Sequence, residues 1–353
     1  MRMSILWSSL ASYTHGFFEA LASRGIEIQL IYLPAIQKEA PYAEFDLSKF
    51  REVHVAGPGL DLTASVEAWA PELCLMVSWN HPGYRRLCRK LRKQGVYVVC
   101  ATDNQWRGNL RQRLGVLAAP FFLRPAVDAM LVPGDRQATF MRRLGFKRIL
   151  SGWYAVDRRR FPSDNPVRLR EQAFLFVGRL VREKGLAQLA QGYEQYRNRS
   201  KAPWPLKIAG VGPDASFLRG RAGVELLGFL QAASLSELMR RHRCLFLPSH
   251  FEPWGVIVNE AASCGLAIVA SRECGSAATF VRHGHNGFIV DVNARDICES
   301  MLRLESMSED SWARFARNSL RLADGWTMDD LVELFMAEFC LPGRPGSDSG
   351  ARS

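Results

Sequence analysis

The chain has 353 residues, 48% of them hydrophobic, and a formal net charge of +11 at pH 7. This length exceeds what one hydrophobic core usually serves, so two domains are expected. Because no apolar run approaches the roughly 18 to 20 residues of a membrane span, and the first residues lack the pattern of a signal peptide, a cytoplasmic protein is expected.

The positive charge is concentrated in the first half of the sequence. Residues 1–170 contain 25 Lys and Arg against 14 Asp and Glu, whereas residues 171–353 contain 21 of each kind. Such an excess indicates an anionic partner for this half, such as nucleic acid, a phospholipid surface or a phosphorylated acceptor. A solvated basic surface without a partner explains the charge about equally well.

Short apolar runs alternate with helical stretches from the start of the chain. In chain order the first apolar runs are MSILWSS, IEIQLIYL, PELCLMVSW, VYVVCATD and AVDAMLVPG. The segments THGFFEALASRG and YRRLCRKLRKQG between them have helical periodicity. The order strand, helix, strand predicts an open parallel sheet with helices on its faces.

A second alternation follows the polar, proline-containing stretch from Asp157 to Gln172, which has the composition of a linker. Its apolar runs are AFLFVGRL, PLKIAGVG, VELLGFL, CLFLPSH, LAIVASR and GFIVDV. We therefore predict two doubly wound α/β domains that face each other across a cleft. The predicted domains are residues 1–165 and 166–325, followed by a helix over 326–340 and a disordered tail over 341–353.

Glycines and cations follow three successive predicted strands of the second domain. They are Gly178, Arg179 and Lys184 after the first strand, Gly210 and Gly212 after the second, and Leu227, Gly228 and Phe229 at the end of the third. Ligands of open α/β sheets bind outside the carboxyl ends of strands, so two cations there fit a diphosphate. Two solvent-exposed cations are the alternative. The chain has no GxxxxGK[ST] motif, and no GxGxxG follows its first strand, which argues against a kinase or a dehydrogenase.

The segment HFEPWGVIVNEAASCG carries two glutamates, Glu252 and Glu260. On one continuous helix they would stand roughly 12 Å apart along the axis, too far to share a proton. We therefore expect Glu252 in the turn before the helix VIVNEAASCG and Glu260 two turns inside it. The free N–H groups at the start of that helix favour an anion or polar hydroxyls.

Taken together, the GRL…KG element with Arg179 and Lys184, the glycine-ended strands and the E-x7-E spacing resemble the retaining glycosyltransferases of family four. This family has the GT-B fold of two Rossmann-like domains, and many bacterial enzymes belong to it. The resemblance covers most of residues 171–340, whereas the first half is similar in architecture alone.

The resemblance implies a nucleotide-diphosphate-sugar donor, UDP- or GDP-linked, bound mainly by the second domain without a metal or another cofactor. Arg179 and Lys184 would hold the diphosphate, Glu252 the sugar hydroxyls and Glu260 the ribose hydroxyls. The other residues implied to border the donor are Gly178, Gly210, Gly212, Leu227, Gly228, Phe229, Gly255, Val256 and Ile257. The helix near Trp326 would cross back onto the first domain.

The first half departs from the family pattern. The loop SSLASYTHG has only Gly16 where many relatives carry paired glycines, and VVCATDNQW has Asp103 and Asn104 where many carry a histidine. Asp103 is thus a candidate catalytic residue, and Tyr13, His15, Asp103 and Asn104 are candidates for acceptor binding. For His15 a structural hydrogen bond is the favoured alternative.

The function implied is retaining sugar transfer to a glycan or glycolipid acceptor in bacterial surface polysaccharide or lipopolysaccharide synthesis. The basic segments YRRLCRKLRKQG and FMRRLGFKRIL, the latter with apolar residues expected to be exposed, could hold the enzyme on the inner face of an anionic membrane. One alternative is a retaining glycoside hydrolase, which needs two carboxyl groups roughly 5 to 5.5 Å apart. The other is a nucleic-acid-binding module that uses the basic half, although no RRM, KH or helix-turn-helix signature is present.

Overall fold

Two parallel sheets form from the buried apolar runs of the sequence. The structure, a computed structural model, describes residues 1–33, 45–57, 59–77, 79–162 and 166–340. The strands of these residues are β1 (Arg2–Trp7), β2 (Glu27–Tyr32), β3 (Glu52–Val55), β4 (Leu73–Val77), β5 (Tyr97–Ala101), β6 (Ala129–Val132), β7 (Ile149–Ser151), β8 (Glu171–Val177), β9 (Leu206–Ala209), β10 (Val224–Gly228), β11 (His242–Leu247), β12 (Ala267–Ser271) and β13 (Gly287–Val290).

The helices lie between these strands and after the last of them. They are α1 (Ser12–Ser23), α2 (Leu62–Trp69), α3 (Pro82–Lys93), α4 (Leu110–Phe122), α5 (Asp135–Arg143), α6 (Leu186–Arg199), α7 (Ala232–Arg241), α8 (Val256–Ser263), α9 (Ala277–Phe280), α10 (Ala294–Glu305), α11 (Glu309–Ala323) and α12 (Met328–Phe339). Several begin at a side chain that accepts a backbone N–H, as Asp61 does for α2 and Asn293 for α10.

Unit 1 contains the first sheet, whose strand order is β3-β2-β1-β4-β5-β6-β7 with every pair parallel. Its described residues lie within 1–155 and 328–340. The strand order reverses between β1 and β4, which is the position where ligands bind in such sheets. Helix α12 packs on α1 of this unit, with the rings of Phe335 and Phe17 5.4 Å apart.

Unit 2 contains the second sheet, with the order β10-β9-β8-β11-β12-β13 and again only parallel pairs. It extends from Val156 to Thr327, so the stretch predicted as a linker from Asp157 belongs to this unit. Here the strand order reverses between β8 and β11. The predicted disordered tail, residues 341–353, lies outside the described residues.

The unit boundaries change the interpretation of the charge. Counted over the whole sequence of each unit, unit 1 has 21 Lys and Arg against 16 Asp and Glu, and unit 2 has 25 against 19. The surplus is therefore shared, because the five arginines between residues 158 and 170, which lie in the basic first half of the sequence, belong to unit 2. A basic first domain beside a neutral second one is thus a property of the sequence halves and not of the folded units.

Candidate active site

Two loops meet where the strand order of unit 2 reverses. One follows β8 and the other follows β11. The carbonyl of Glu183 in the first loop accepts hydrogen bonds from the backbone N–H groups of His250 (2.7 Å) and Phe251 (3.4 Å) in the second. At Gly185, where φ is +67°, an added Cβ would lie 2.1 Å from the carbonyl oxygen of Pro248. The two loops are therefore in close contact at the carboxyl edge of the sheet, where a ligand of such a sheet is expected.

Lys184 and Glu252 form an ion pair between these loops, Nζ to Oε2. Their side chains are only 14% and 13% exposed, so each charge depends on the other for its stability. An ammonium group has three donors, and the pair therefore leaves Lys184 able to bind an anion as well. Two residues predicted to act on one ligand, 68 positions apart in the sequence, thus come into direct contact.

The glycines after β9 are required by the protein's own backbone. An added Cβ on Gly210 would lie 1.9 Å from the carbonyl oxygen of Gly178, and one on Gly212 would lie 2.3 Å from that of Leu180. Backbone hydrogen bonds join the same segments, since Gly178 donates to Ala209 and Gly210 donates to the Gly228 carbonyl. The predicted close approach of the backbone is thus present, and it occurs between the ends of neighbouring strands of the sheet. Arg179, in the loop after β8, has an exposed side chain.

The turn that carries Glu252 is held by a third strand end, which was not predicted from the sequence. After β12, the Ser276 hydroxyl donates to the carbonyls of Trp254 (2.6 Å) and Gly255 (3.0 Å), and the Glu252 carbonyl accepts from Gly275 N–H (3.0 Å). Buried Cys274 also contacts the Trp254 carbonyl through its sulfur, 3.2 Å away. The signal available in the sequence was the polar, glycine-containing segment ECGS directly after the run LAIVASR.

Glu252 lies in the turn, as expected, and Glu260 lies inside α8 but about one turn from its start rather than two. Glu260 is 8% exposed, and among the described residues its carboxylate has no hydrogen bond or ion pair. Burial raises the pKa of Glu260 to about 7. Within the described part of the chain, no side chain caps the start of α8, where Val256 and Ile257 remain partly exposed. The geometry presents a buried carboxylate and uncapped helix N–H groups, which suit hydroxyls and an anion respectively.

In unit 1, Asp103 after β5, Tyr154 after β7 and Tyr13 in the first turn of α1 come together. The rings of Tyr13 and Tyr154 are 5.0 Å apart and nearly perpendicular, and the Tyr154 hydroxyl donates to Asp103 over 3.4 Å. Tyr154 has a φ of +68°, which is unfavourable for a tyrosine and indicates that the surroundings hold it there. Burial, with the negative Asp103 nearby, raises the pKa of Tyr154 well above its usual value. Tyr154 was not predicted, because nothing in SGWYAV signals this conformation.

The other two candidates of unit 1 make contacts within the protein. His15 is buried and its Nε2 donates to the Asp46 carbonyl (2.7 Å), while Nδ1 lies 3.3 Å from Glu19. Both ring nitrogens are thus engaged, which favours the structural role. The side-chain amide of Asn104 donates to the Thr102 hydroxyl over 3.1 Å.

Residues 157–320 match the family model described as Glycosyl transferases group 1. The chain is 32% identical over 127 residues to an uncharacterized glycosyltransferase of Methanocaldococcus jannaschii, covering 34% of this chain and 32% of that protein. It is 30% identical over 186 residues to the glycogen synthase of Mycobacterium tuberculosis, covering 49% and 42%. The chain thus spans a third to two fifths of these relatives. With the D-inositol 3-phosphate glycosyltransferase of Gordonia bronchialis it shares 24% identity, covering 90% of this chain and 81% of that protein.

Solved structures match over nearly the whole chain. The sucrose-phosphate synthase of Thermosynechococcus elongatus superposes with a TM-score of 0.72 and 15% identity, covering 96% of this chain and 98% of that one. The pneumococcal O-GlcNAc transferase GtfA, solved with UDP and GlcNAc, superposes with a TM-score of 0.71 and 11% identity over the same shares. The chain has the GT-B fold, as predicted. The segment that matches the glycosyl transferases group 1 lies within unit 2.

We expect Gly210→Ala to destabilise unit 2 by about 2 kcal/mol or more, because the new Cβ collides with a backbone oxygen that cannot rotate away. The control is Gly220→Ala, where φ is +74° but the space is open, so only the backbone conformation is disfavoured, by about 1 kcal/mol. Urea denaturation measures both. Equal losses in the two variants would contradict the close strand-end packing.

We expect Glu260→Gln to remove a pH dependence of stability. The folded state keeps the Glu260 proton up to about pH 7, whereas the unfolded state loses it near its ordinary pKa. The free energy of unfolding therefore falls as pH rises through this window, and levels off above it. The stability of the variant relative to wild type should rise by roughly 3 kcal/mol between pH 4.5 and 8. Exposed Glu237→Gln is the control. Parallel pH profiles for wild type and Glu260→Gln would refute the burial argument.

Proposed function

We propose that this chain is a retaining glycosyltransferase that moves a sugar from a UDP- or GDP-linked donor to a glycan or glycolipid acceptor in bacterial surface polysaccharide or lipopolysaccharide synthesis. The observation that carries the proposal is the ion pair of Lys184 and Glu252 at the strand reversal of unit 2, directly before the helix that carries the buried Glu260. This arrangement lies within the segment that matches the group 1 glycosyl transferases.

In this proposal Arg179 and Lys184 bind the diphosphate of the donor. Negative charge grows on the diphosphate as the bond to the sugar breaks, and positioned cations and helix N–H groups stabilise that charge. The uncapped start of α8, with Gly255 before it, supplies such N–H groups. The two cations make a metal unnecessary for this step. The base would lie against the end of β10, at Leu227 and Phe229, both of them partly exposed.

Glu252 acts on the sugar and also orients Lys184. Its carboxylate can accept hydrogen bonds from sugar hydroxyls while it keeps the ammonium of Lys184 directed at the diphosphate. Glu260 then receives the ribose hydroxyls, which supply the hydrogen bonds that its buried carboxylate otherwise lacks. Two solved structures of the same fold are described as complexes with UDP and a sugar, GlcNAc in one and glucose in the other. They support a nucleotide-sugar as the donor.

The transfer step needs no protein nucleophile. The bond from the anomeric carbon to the diphosphate oxygen breaks, the acceptor oxygen bonds to that carbon on the same face, and the acceptor proton passes to the departing oxygen. Asp103, held by the Tyr154 hydroxyl beside Tyr13, is the candidate to accept a hydrogen bond from the acceptor hydroxyl and orient it. Orientation of this kind contributes to rate without covalent chemistry.

We further propose a cytoplasmic enzyme bound peripherally to an anionic membrane. None of the described helices is long and apolar enough to cross a bilayer. The support is local charge: α3 presents Arg86, Arg89, Lys90 and Lys93 at its surface. Cations close to an anionic leaflet each contribute about 1 kcal/mol.

We expect Arg179→Ala, Lys184→Ala and Glu252→Gln each to lower turnover by one to two orders of magnitude, about what the loss of one charge-assisted contact implies. Glu260→Gln should mainly weaken donor binding, since Glu260 contacts the nucleotide rather than the reacting sugar. Exposed Lys201→Ala is the matched control. The assays are initial rates with a donor found by thermal shift in the presence of UDP, GDP and their sugars, because a ligand at a hundred times its Kd adds about 2.7 kcal/mol. Wild-type rates in Arg179→Ala and Lys184→Ala would refute the diphosphate assignment.

The product should keep the anomeric configuration of the donor sugar, because the acceptor attacks from the face that the diphosphate leaves. Proton NMR of the isolated product reports the configuration directly, because the anomeric centre of the new glycosidic bond does not mutarotate. An inverted product would exclude the mechanism while leaving glycosyl transfer itself in place.

A further inference from the structure

Helix α4 exposes a continuous apolar ridge. Its Leu110, Leu114, Leu117 and Phe121 are 71%, 58%, 72% and 80% exposed. Their spacing of four, three and four residues places them within about 60° of arc on one face of the helix. Ala119, the buried residue of α4, lies on the opposite face. Four large apolar side chains in line on one side of a helix form a patch that usually marks an interaction site.

The ridge differs from the other exposed apolar residues of the described chain. The remaining large ones are isolated on separate elements: Val55, Leu169, Phe217, Leu226 and Leu334. Single exposed apolar side chains are normal on protein surfaces and need no partner. Only α4 concentrates them among the residues that the structure describes.

The helix that bears the ridge is anchored at both ends. At its start, the Asn109 side chain accepts from Gln112 N–H (2.9 Å), and the Gln112 amide donates to the Gln105 carbonyl (2.8 Å). At its end, the Arg89 guanidinium of α3 donates to the Phe121 carbonyl over 3.0 Å. The ridge is therefore presented by a fixed helix rather than by a frayed segment.

Positive charge surrounds the ridge. Residues 79–127 contain ten Lys and Arg and one acidic residue, Asp103. The cations are Arg85, Arg86, Arg89, Lys90, Arg92, Lys93, Arg107, Arg111, Arg113 and Arg124. Arg111 and Arg113 are exposed and flank the ridge on its two sides. The arginine contact to Phe121 joins the basic surface of α3 to the end of α4.

We propose that α4 is a membrane-docking helix, whose ridge inserts into the interface of an anionic lipid bilayer while the flanking cations contact the headgroups. A helix with an apolar face and arginines beside it has the chemistry of interfacial helices. Lys90 and Arg92 are paired with Glu67 and Asp128, but the other eight cations of residues 79–127 exceed Asp103, the one acidic residue of that stretch, and this local excess favours anionic lipid over a protein surface of mixed charge. The inference rests on the membrane part of the proposed function and does not depend on which sugar is transferred.

The segment expected from sequence to combine charge with exposed apolar residues was FMRRLGFKRIL, and that expectation is wrong. Phe140, Met141, Leu144 and Phe146 of this segment are buried in unit 1. Its arginines remain at the surface without an apolar ridge beside them.

The test is flotation of the full chain with vesicles of phosphatidylcholine alone and with vesicles in which about a third of the lipid is phosphatidylglycerol. Wild type should bind the anionic vesicles, less so at high salt. The double variant Leu117→Ser with Phe121→Ser should lower partitioning by roughly tenfold or more. Leu334→Ser, a 50% exposed leucine on α12, is the matched control and should bind like wild type. Circular dichroism and thermal melts check that all variants fold.

A second measurement reports contact directly. Leu117→Trp should be quenched by brominated lipid relative to wild type, whereas Leu334→Trp should not. Unchanged partitioning of the ridge variant, or equal quenching of the two tryptophan variants, would overturn the proposal. So would a wild-type chain that binds no anionic vesicle and instead self-associates in a way that the ridge variant abolishes.

Stabilisation by UDP or GDP, measured on the same samples without lipid, separates this inference from the donor site. A ridge variant that loses vesicle binding but keeps the nucleotide shift supports the docking helix. A wild type that binds vesicles through the ridge but shows no shift with any nucleotide or nucleotide-sugar would refute the proposed donor and leave the docking helix standing.

Discussion

The ion pair between Lys184 and Glu252 is the interaction on which the candidate site of unit 2 depends. It joins the loops after β8 and β11, the two strands at which the sheet order reverses. Because both side chains are mostly buried, removal of either would leave an uncompensated charge. The backbone bonds to the Glu183 carbonyl and the contact of Gly185 with Pro248 hold the same two loops, so the charges are positioned before any ligand arrives.

Glu260 represents the opposite arrangement, a buried carboxylate with no partner among the described residues. Burial of an unpaired carboxylate destabilises the folded state at neutral pH, and the raised pKa of Glu260, about 7, reflects this destabilisation. A ligand that donates hydroxyl groups relieves it. The hydrogen bonds that Glu260 lacks in the free protein can form when a ligand binds, so they contribute to affinity. Unsatisfied polar groups of this kind are therefore expected at functional sites. Lys184 and Glu252 supply rigidity at the site, and Glu260 supplies affinity.

The sequence was sufficient to predict the two doubly wound domains and the separation of Glu252 from Glu260, because both follow from periodicity and local turn chemistry. The contacts of Ser276 with the turn of Glu252 and of Tyr154 with Asp103 were not predictable. They depend on which strands become neighbours, and in a parallel sheet those strands lie far apart in sequence. Helix α4 was missed for a related reason. Its apolar residues resemble those of a core helix, and only the packing of its surroundings shows that they face outward.

Charge and apolar exposure act at different ranges, and both are needed to interpret the surface of unit 1. The net charges of the two units are nearly equal, so total charge does not identify a partner for either one. The excess within residues 79–127 is local, and screening limits its reach to roughly 8 to 10 Å at physiological salt. Attraction over that distance brings a membrane close but does not select an orientation. The ridge of α4 acts only at contact and in one orientation. The local positive charge and the ridge together, rather than either alone, therefore make this surface specific for a membrane in one orientation.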